Sequence, residues 1–334
     1  MDRTRPLRSA ITRALAHVEE HLDAPLTLDD VARAAHLSAY HFHREFRAAI
    51  GEPVARYITR RRLERAALRL AYEPWRTVTD VALASGFSSP SNFAKAFHAH
   101  FGCSPSVLRS TPGDAPDNPG TNRVRPTGFD PRALHAPETS NNPAAERVEI
   151  ARKWDARVRF EHCEERHLAC LAGPGGYNVT MLEETWGRLI GWARQLDLAD
   201  ADGGIDAWGC AFDSPSLTQQ SLCRYHACVP SAPGMALPEP LFPARMHAGR
   251  YAVFTWEGPV AELERTYREI YSCWLPEAAL MLDGFAPWEH HIGDGPVAGH
   301  ILLELWFKVR PRARGQQARS SAAQDGKRVP RASP

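Results

Sequence analysis

One stretch of the chain, residues 86–109, decides the fold class of the N-terminal part. It reads GFSSPSNFAKAFHAHFGCSPSVLR. Phe93 and Phe97 stand four residues apart, the spacing that places two side chains on one face of a helix. Gly102 can adopt the left-handed conformation that commonly ends a helix. The stretch therefore predicts an amphipathic helix that is closed by Gly102.

The same pattern occurs about fifty residues earlier. TLDDVARAAHLS at residues 27–38 and TVTDVALASGFS at residues 77–88 are identical at six of twelve positions. FHREFRAAIG at residues 42–51 likewise parallels FAKAFHAHFG at residues 93–102. Each copy opens with Thr-x-x-Asp, in which the Thr can cap a helix and the acid favours its first turn. The repeat predicts two helix–turn–helix units in tandem.

Residues 53–71, PVARYITRRRLERAALRLA, connect the two units and have apolar residues at helical spacing. Nineteen residues at a rise of 1.5 Å give a helix of roughly 28 Å. This is close to the ~34 Å between successive major-groove faces of one duplex. One monomer could therefore present two recognition helices to adjacent grooves. The basic run Arg60, Arg61, Arg62 and Arg65 is expected to be either a solvated face or a set of phosphate contacts.

The repeated motifs resemble a known family. The stretch at residues 86–109 follows the pattern GF-x-S-x3-F-x-[RK]-x-F-x3-FG-x-SP-x2-[YL]-R, and Arg62-Leu63-x2-Ala66 is a second anchor. Residues 8–109 resemble the DNA-binding domain of the AraC/XylS family of transcription regulators. His36 departs from the family pattern, which usually has Gly there, but His tolerates a left-handed turn better than most residues. The resemblance implies double-stranded DNA and RNA polymerase as partners.

The resemblance also places base contacts on the exposed early face of each second helix. The candidate DNA-binding residues are Tyr40, His43 and Arg44 on the first of these helices, and Ser91, Asn92 and Lys95 on the second. Arg and Lys can donate to guanine acceptors, Asn can pair with adenine, and Tyr can contact a thymine methyl group. For any single one of them the alternative is a solvated helix face.

The charges of the chain are segregated. Residues 1–112 contain 16 basic and 11 acidic side chains, whereas residues 151–310 contain 14 and 21. The net charge of the whole chain, +1, conceals this segregation. The length of 334 residues predicts two domains. A basic N-terminal part beside an acidic C-terminal part predicts two partners of opposite charge.

The composition excludes several classes of protein. The chain has no run of about 18 apolar residues, so we expect no membrane span. The N-terminus, MDRTRPLRSA, lacks the apolar region of a secretory signal. Seven cysteines without a CxxC pair predict reduced, mostly buried thiols rather than a disulfide framework or a zinc site. We therefore expect a cytoplasmic protein without a metal or other cofactor.

Two segments delimit the folded parts. Residues 111–150 are crowded with Pro, Gly, Asn and Thr, which predicts a flexible linker. The chain from residue 311 has little apolar surface to bury, which predicts a disordered basic tail at residues 311–334. The predicted domains are an all-helical DNA-binding domain at residues 7–110 and a second domain at residues 151–310.

The second domain has the pattern of short strands around two helices. Helices are predicted at residues 180–195 and 260–275, and their sequences LEETWGRLI and LERTYREIY are similar. The predicted strands are residues 158–161, 168–173, 208–212, 223–229, 250–256, 288–292 and 301–309. Two βαββ halves would form an α+β domain with a pseudo-two-fold groove.

The order of motifs in this domain also resembles a known family. WGCAFDSP at residues 208–215, RYHACV at residues 224–229, GRYAVFTWEGP at residues 249–259 and LLELWFKV at residues 302–309 follow one another. They are similar to the GyrI-like (gyrase-inhibitor-like) small-molecule-binding domain, also described as a SOUL-type fold. The two resemblances imply a transcription regulator that reads two adjacent major grooves and senses a small effector.

In related multidrug-binding domains, a carboxylate buried on the last strand among aromatic rings receives cationic or amphipathic ligands. The matching residue here is Glu304, with Trp306 on the same face of the strand, and Glu289 is a second candidate acid. The remaining candidate ligand-binding residues are Trp186, Trp208, Tyr225, Tyr267 and Trp288, whose rings could face a lipophilic cation. Each ring could equally be a core residue.

Two other functions remain open for the second domain. Glu304 or Glu289 could act as the general base of a hydrolase of strained electrophilic ligands, or the domain could bind another protein as gyrase inhibitors do. No Ser/His/Asp arrangement or phosphate-cradling glycine loop stands out in the sequence. His290 and His291 are adjacent on a strand and point to opposite faces, which is poor geometry for a metal. No enzymatic activity is therefore predicted for the chain.

Overall fold

The computed structural model describes residues 5–109, 134, 142–173, 175–199, 202–284, 286–293 and 300–312. These residues pack into two compact units. The first unit comprises the described residues up to 64 together with 157–264 and 284–308. The second unit comprises 65–156, 265–283 and the residues from 309 onward.

Residues 5–109 are helical, which confirms the predicted all-helical region. The helices are α1 (Arg5–Glu20), α2 (Leu28–Ala34), α3 (Ala39–Ile50), α4 (Val54–Tyr72), α5 (Val78–Ala84), α6 (Pro90–Phe101) and α7 (Pro105–Arg109). The pairs α2–α3 and α5–α6 are the two predicted helix–turn–helix units.

Both Thr-x-x-Asp patterns form complete capping boxes. The Oγ1 atom of Thr27 accepts the backbone N–H of Asp30 at 3.2 Å, and the Asp30 carboxylate accepts the backbone N–H of Thr27 at 3.1 Å. Thr77 and Asp80 make the same two bonds, each at 3.0 Å. The boxes satisfy backbone donors that would otherwise lack partners, and they fix where α2 and α5 begin.

The turns and helix ends also follow from the sequence. His36 and Gly86, in the turns of the two units, have φ angles of 58° and 79°. Gly51 and Gly102 end α3 and α6 in the left-handed conformation, with φ angles of 83° and 72°. A residue without a Cβ atom adopts this conformation without strain. His36 shows that the first turn has the same geometry without a glycine.

The C-terminal part contains an antiparallel sheet, as predicted. Its strands are β1 (Val158–Cys163), β2 (Arg166–Ala172), β3 (Ala207–Ala211), β4 (Tyr225–Pro230), β5 (Phe242–Met246), β6 (Gly249–Pro259), β7 (Leu280–Leu282), β8 (Trp288–His291) and β9 (His300–Pro311). The strand order is β1-β6-β9-β8-β3-β4-β2-β5, and β7 pairs with β9. The sequence patterns did not predict β5 and β7.

The strand order has an internal symmetry about the β3–β8 pair. On one side lie β3, β4 and β2, and on the other lie β8, β9 and β6. Helix α9 (Val179–Gln195) follows β2, and helix α10 (Leu263–Glu269) follows β6. This is the arrangement of two βαββ halves that the duplicated helix sequences predicted.

The structure corrects the predicted linker at one end. Helix α8 (Pro143–Asp155) begins inside the stretch that was predicted to be flexible. The side chain of Asn142 accepts the backbone N–H of Ala145 at 3.3 Å, and Pro143 occupies the first turn. Both are strong signals for the start of a helix. The rest of the predicted linker, except Leu134, and the tail beyond Arg312 lie outside the described residues.

Two further predictions are wrong in part. The helix predicted at residues 260–275 is divided, because α10 continues into a π-helical turn at Ile270–Trp274 before α11 (Leu275–Glu277). Cys170 and Cys228, which face each other on β2 and β4, form a disulfide rather than two thiols. The other five cysteines are buried thiols, as predicted.

Within the described ranges, no helix is both long and apolar enough to cross a membrane. In the same residues, His, Cys, Asp and Glu side chains form no group that could hold a metal ion.

Candidate functional site

The exposed face of α3 carries the first three candidate DNA-binding residues. Tyr40, His43 and Arg44 are exposed, and Tyr40 keeps 82% of its surface accessible. The Arg44 guanidinium donates to Glu45 Oε1 from Nη2 and Nε, at 2.8 and 3.1 Å. An ion pair at the surface contributes little free energy, so Arg44 can exchange this partner for a base or a phosphate. The opposite face of α3 is buried through Phe42.

The exposed face of α6 carries the other three candidates. Ser91, Asn92 and Lys95 are exposed, while Phe93 on the same helix is fully buried. Ser89 caps the helix by accepting the backbone N–H of Asn92 at 3.2 Å. The cap fixes Ser91 and Asn92 in the first turn of α6, where side chains of a recognition helix contact base edges.

The arginines of α4 have protein partners. Arg60 forms ion pairs with Glu52 at 2.7 Å and Glu64 at 3.0 Å. Arg62 donates to the backbone oxygens of Leu22 and Ala24, at 2.8 and 2.7 Å. Arg60 and Arg62 therefore stabilise the helical part of the chain through these bonds.

The two candidate acids of the C-terminal part lie on opposite faces of the sheet. Glu289 pairs in register with Leu305, and Glu304 pairs with His290. Because successive side chains of a strand point to opposite faces, Glu289 and Glu304 have different surroundings.

Glu304 is already bonded to a basic side chain. Its Oε1 atom lies 2.7 Å from Arg159 Nη2, and its Oε2 atom lies 3.2 Å from both His290 Nδ1 and Trp306 Nε1. Burial alone would raise the pKa of the Glu304 carboxyl group, but the bonds from His290 and Arg159 lower it. Glu304 thus pairs with an arginine and a histidine of the chain itself, and its role in ligand binding stays a prediction.

The tryptophans on the Glu304 face pack against one another. Trp208 and Trp306 are buried with their rings 5.4 Å apart, and Trp288 packs against the same hydrophobic cluster. The imidazole of His290 stacks on Trp208 at 4.3 Å, and its Nε2 atom lies 3.0 Å from Asp206 Oδ1. Trp208 and Trp306 are therefore core residues, while His290 and Glu304 beside them stay partly exposed.

Glu289 belongs to a second group of side chains, which we call the effector cluster: Trp186, Gly209, Tyr225, Glu289 and His291. Glu289 is 4% exposed, as is Tyr225, and Trp186 is 6% exposed. The Tyr225 hydroxyl lies 3.1 Å from His291 Nε2. The Trp186 ring packs edge-on against His291 with 4.6 Å between ring centroids.

Gly209 makes room for this arrangement. A Cβ atom at this position would collide with the Tyr225 hydroxyl and would lie 3.2 Å from Glu289 Oε2. The absence of a side chain on β3 therefore lets the phenol lie directly over the strand, beside the carboxylate. A glycine inside a strand commonly marks such a close approach.

Burial keeps two groups of the effector cluster uncharged at neutral pH. It lowers the pKa of His291 to about 3, with a smaller contribution from the neighbouring His290. Burial also raises the pKa of Tyr225 well above its usual value, and the nearby charge of Glu289 adds to this effect. Glu289 is the acidic member of the cluster and is buried beside these two groups.

The structure therefore separates the candidate ligand-binding residues into three places. Trp186, Tyr225 and Glu289 lie in the effector cluster, while Trp208, Trp288, Glu304 and Trp306 lie on the other face of the sheet. Tyr267 belongs to the second unit, where it stacks on Tyr271 with 6.3 Å between ring centroids. Gly209 and His291 were missed as site residues. The alternation of WEHH, which places Glu289 and His291 on one face, could have indicated the histidine.

The comparisons with known proteins match both parts of the chain. Residues 31–111 match a helix-turn-helix domain family, and residues 156–310 match the GyrI-like small molecule binding domain family. The molecule is thus a helix–turn–helix DNA-binding transcription regulator with a small-molecule-binding domain.

Individual relatives define the family. The HTH-type transcriptional activator AarP of Providencia stuartii is 39% identical over 101 residues, which are 30% of this chain and 74% of AarP. The right origin-binding protein of Escherichia coli K12 is 39% identical over 100 residues, which are 29% of this chain and 34% of that protein. The chain belongs to the AraC-type family of transcription regulators.

Among solved structures, the DNA-binding domain of AdpA in complex with a target DNA is similar to this chain. The match has 27% identity and a TM-score of 0.29, and it covers 30% of this chain and 90% of that domain.

Proposed function

We propose that the chain is a sequence-specific regulator whose helices α3 and α6 read two adjacent major grooves, and whose effector cluster binds a cationic, aromatic small molecule. Transcription is then adjusted to the presence of that molecule. RNA polymerase, implied by the family resemblance, is the expected protein partner.

The DNA half of the proposal is supported by the two exposed helix faces. Each face carries side chains of the kinds that recognise bases, with Arg44 on α3 and Asn92 and Lys95 on α6. Helix α4, which joins the two helix–turn–helix units, has 19 residues. At 1.5 Å per residue its length is roughly 28 Å, near the spacing of successive major grooves.

The ligand half rests on one observation, the position of Glu289 in the effector cluster. A carboxylate that is 4% exposed lies beside the phenol of Tyr225, which burial holds in its protonated form. Trp186 and Tyr225 offer aromatic rings, which attract cations through their faces. A ligand with a positive charge and flat rings complements this group in both respects.

Selection of duplexes from a random DNA pool by the full chain tests the DNA half. We expect an enriched site with two half-sites one helical turn apart, bound by a monomer. Arg44→Ala should weaken binding by roughly 1–3 kcal/mol and relax base preference at one position. Enrichment of a single half-site, or binding only as a dimer, would contradict the reading of two adjacent grooves.

Tryptophan fluorescence titration tests the ligand half. Tetraphenylphosphonium is a suitable cationic probe, and triphenylphosphine oxide is a neutral analogue of similar shape. We expect saturable quenching by the cation and at least tenfold weaker binding of the neutral compound, a difference of about 1.4 kcal/mol. Equal affinities for the two compounds would show that charge does not decide binding.

The hydrogen bonding in the effector cluster favours a second candidate function, hydrolysis of an electrophilic ligand. Tyr225 contacts both His291 and Glu289, so a proton could pass among a phenol, an imidazole and a carboxylate. Product analysis of an electrophilic ligand incubated with the chain tests this function. Turnover that is abolished by Glu289→Gln would establish it, and unchanged ligand after prolonged incubation would exclude it.

A further inference from the structure

A group of buried charged and polar side chains joins α1 and α4 to the strands of the effector cluster, within the first unit. The members of this buried charge cluster are Glu19, Tyr57, Arg61, Asp213 and Arg224. Glu19 lies on α1, and Tyr57 and Arg61 lie on α4. Asp213 lies two residues after β3, and Arg224 directly precedes β4.

The guanidinium of Arg224 contacts both parts of the chain. Its Nε and Nη2 atoms donate to the two carboxylate oxygens of Asp213, each at 2.9 Å. Nη2 also donates to Glu19 Oε1 at 2.9 Å, and Nη1 donates to the hydroxyl of Tyr57. One side chain at the start of β4 therefore bonds to both α1 and α4.

Arg61 makes the reciprocal connection from α4. Its Nε atom donates to Glu19 Oε1 at 2.8 Å, its Nη1 atom forms an ion pair with Asp213, and its Nη2 atom donates to the backbone oxygen of Phe212 at 3.0 Å. The side chains of Arg61 and Asp213 are 7% and 1% exposed. Water therefore cannot replace a lost partner, and the loss of one charge leaves another buried and uncompensated.

The buried charge cluster adjoins the effector cluster through the ends of β3 and β4. Arg224 is the chain neighbour of Tyr225, and Tyr225 pairs with Ala211 across the two strands. The hydroxyl of Tyr177, just before α9, lies 3.0 and 2.9 Å from the backbone oxygens of Asp213 and Arg224, and it accepts the backbone N–H of Asp213 at 3.0 Å. Tyr225 and these bonds therefore link the effector cluster to the backbone that carries both Arg224 and Asp213.

At its other end, the buried charge cluster contacts the recognition helix α3. The ring of Tyr57 packs edge-on against Phe46, with 5.5 Å between centroids and 77° between planes. Phe46 is fully buried on the face of α3 opposite Arg44. A contiguous route thus runs from Tyr225 through Arg224, Tyr57 and Phe46 to a helix that carries candidate base contacts.

We propose that the buried charge cluster couples occupancy of the effector cluster to the position of α3, so that ligand binding changes the affinity of the chain for DNA. The proposal rests on the function proposed above for the effector cluster. Tightly packed interiors switch between discrete arrangements and do not deform continuously. We therefore expect that breaking one bond of the buried charge cluster uncouples the effector cluster from α3. Linkage further requires that DNA change ligand affinity by the same factor.

A double-mutant cycle on DNA affinity tests the coupling without any ligand. Gly209→Ala displaces the Tyr225 hydroxyl at one end, and Glu19→Gln breaks the buried charge cluster. The affinity of wild type, both single variants and the double variant is measured by fluorescence anisotropy with the selected duplex. We expect Gly209→Ala to change the dissociation constant by about fivefold or more in the wild-type background and by less than about twofold beside Glu19→Gln. The same factor in both backgrounds would overturn the proposal.

Glu20→Gln is the matched control for Glu19→Gln. Glu20 is the next residue of α1 and also pairs with an arginine of the effector domain, Arg245, at 3.1 Å, but this pair lies at the surface. We expect Glu20→Gln to leave the response to Gly209→Ala unchanged. If Glu19→Gln does not fold, Tyr57→Phe replaces it, because it keeps the ring against Phe46 and removes only the hydroxyl. Loss of the response in Tyr57→Phe is expected, and a wild-type response would count against the cluster.

A second arm adds tetraphenylphosphonium as the probe. In wild type we expect the cation to change DNA affinity by about fivefold or more, whereas Glu19→Gln should bind the cation with no change in DNA affinity. If the cation binds neither protein and the cycle is still non-additive, the proposed function fails and the coupling stands. If the cation binds both proteins and shifts DNA affinity equally, the coupling fails and the proposed function stands.

Discussion

The two faces of the β-sheet carry the same kinds of side chain in different surroundings. On one face Glu304 has an arginine partner, Arg159, at 2.7 Å and a bond to His290. On the other face Glu289 lies beside the protonated phenol of Tyr225. A carboxylate that already has an arginine partner gains little from a cationic ligand.

The histidines on the two faces show the same contrast. His290 and His291 are adjacent in the chain, yet their pKa values move in opposite directions. Burial lowers the pKa of His291 to about 3. Burial also opposes the charge of His290, but its bonds to Asp206 and Glu304 raise the pKa. The alternation of one strand therefore separates a histidine whose charged form is stabilised by hydrogen bonds from one whose charged form is disfavoured by burial.

The largest effect that we expect concerns acid unfolding. The folded chain keeps His291 neutral down to about pH 3, whereas the unfolded chain binds a proton near pH 6.5. The contribution of neutral His291 to stability is therefore complete above pH 6.5 and is lost as the pH falls. The loss should amount to roughly 1.4 kcal/mol per pH unit between pH 6 and pH 4. His291→Asn should flatten the acid limb of the unfolding free energy by this slope, measured by urea titration at several pH values.

His290→Asn is a control for which we expect the opposite dependence of stability on pH. The folded-state pKa of His290 is raised, so its contribution is complete below pH 6.5 and is lost as the pH rises through the folded-state value. The variant should differ most from wild type at acidic pH and converge with it at alkaline pH. Parallel pH profiles of the two histidine variants would contradict the contrast between the faces.

The next effect concerns the space over Gly209. Gly209→Ala should destabilise the fold by roughly 1–3 kcal/mol, because the new methyl group displaces the Tyr225 hydroxyl. Gly187→Ala on α9 is the matched substitution, since a Cβ atom there meets nothing within 4 Å. It should stabilise the chain by up to about 1 kcal/mol, because Ala is the better helix former. Thermal unfolding of both variants checks the two predictions. Equal shifts of the unfolding temperature would show that Gly209 has no special role.

A smaller effect is expected for Glu304→Gln. The variant leaves Arg159 and His290 without their shared carboxylate, but the Arg159 side chain is 40% exposed and water partly compensates. We expect a loss of about 1 kcal/mol in the free energy of unfolding, measured by urea titration at pH 6. No loss would mean that the Glu304 bonds are not structural, and Glu304 would return as a ligand-binding candidate.

The helix–turn–helix units could be predicted from sequence because their signals are local. The Thr27 and Thr77 caps, the Phe93 and Phe97 spacing and the closing glycine all act within one or two turns of helix. Helix α8 was missed, although its start signal is also local. Its start signal, Asn142 with Pro143, lies in a stretch whose composition otherwise indicates a linker.

The surroundings of the sheet residues, in contrast, depend on contacts between distant parts of the chain. The sequence placed Glu304 opposite its flanking leucines, but it could not show that Arg159 of β1 reaches the same carboxylate. The Cys170–Cys228 disulfide likewise requires the register of β2 on β4. Strand pairing, which brings such residues together, is set by tertiary packing that local patterns do not contain.

The central claim is that the Glu289 face binds the effector and the Glu304 face is structural, and a paired titration tests it most directly. Binding of tetraphenylphosphonium and triphenylphosphine oxide is measured by tryptophan fluorescence for Glu289→Gln and Glu304→Gln. The account predicts that Glu289→Gln weakens binding of the cation by roughly 2–4 kcal/mol. Binding of the neutral compound should weaken by far less, because only the cation loses a buried charge partner. Glu304→Gln should change both affinities by less than about 0.5 kcal/mol. A selective loss of the cation in Glu304→Gln, with Glu289→Gln unaffected, would contradict the account.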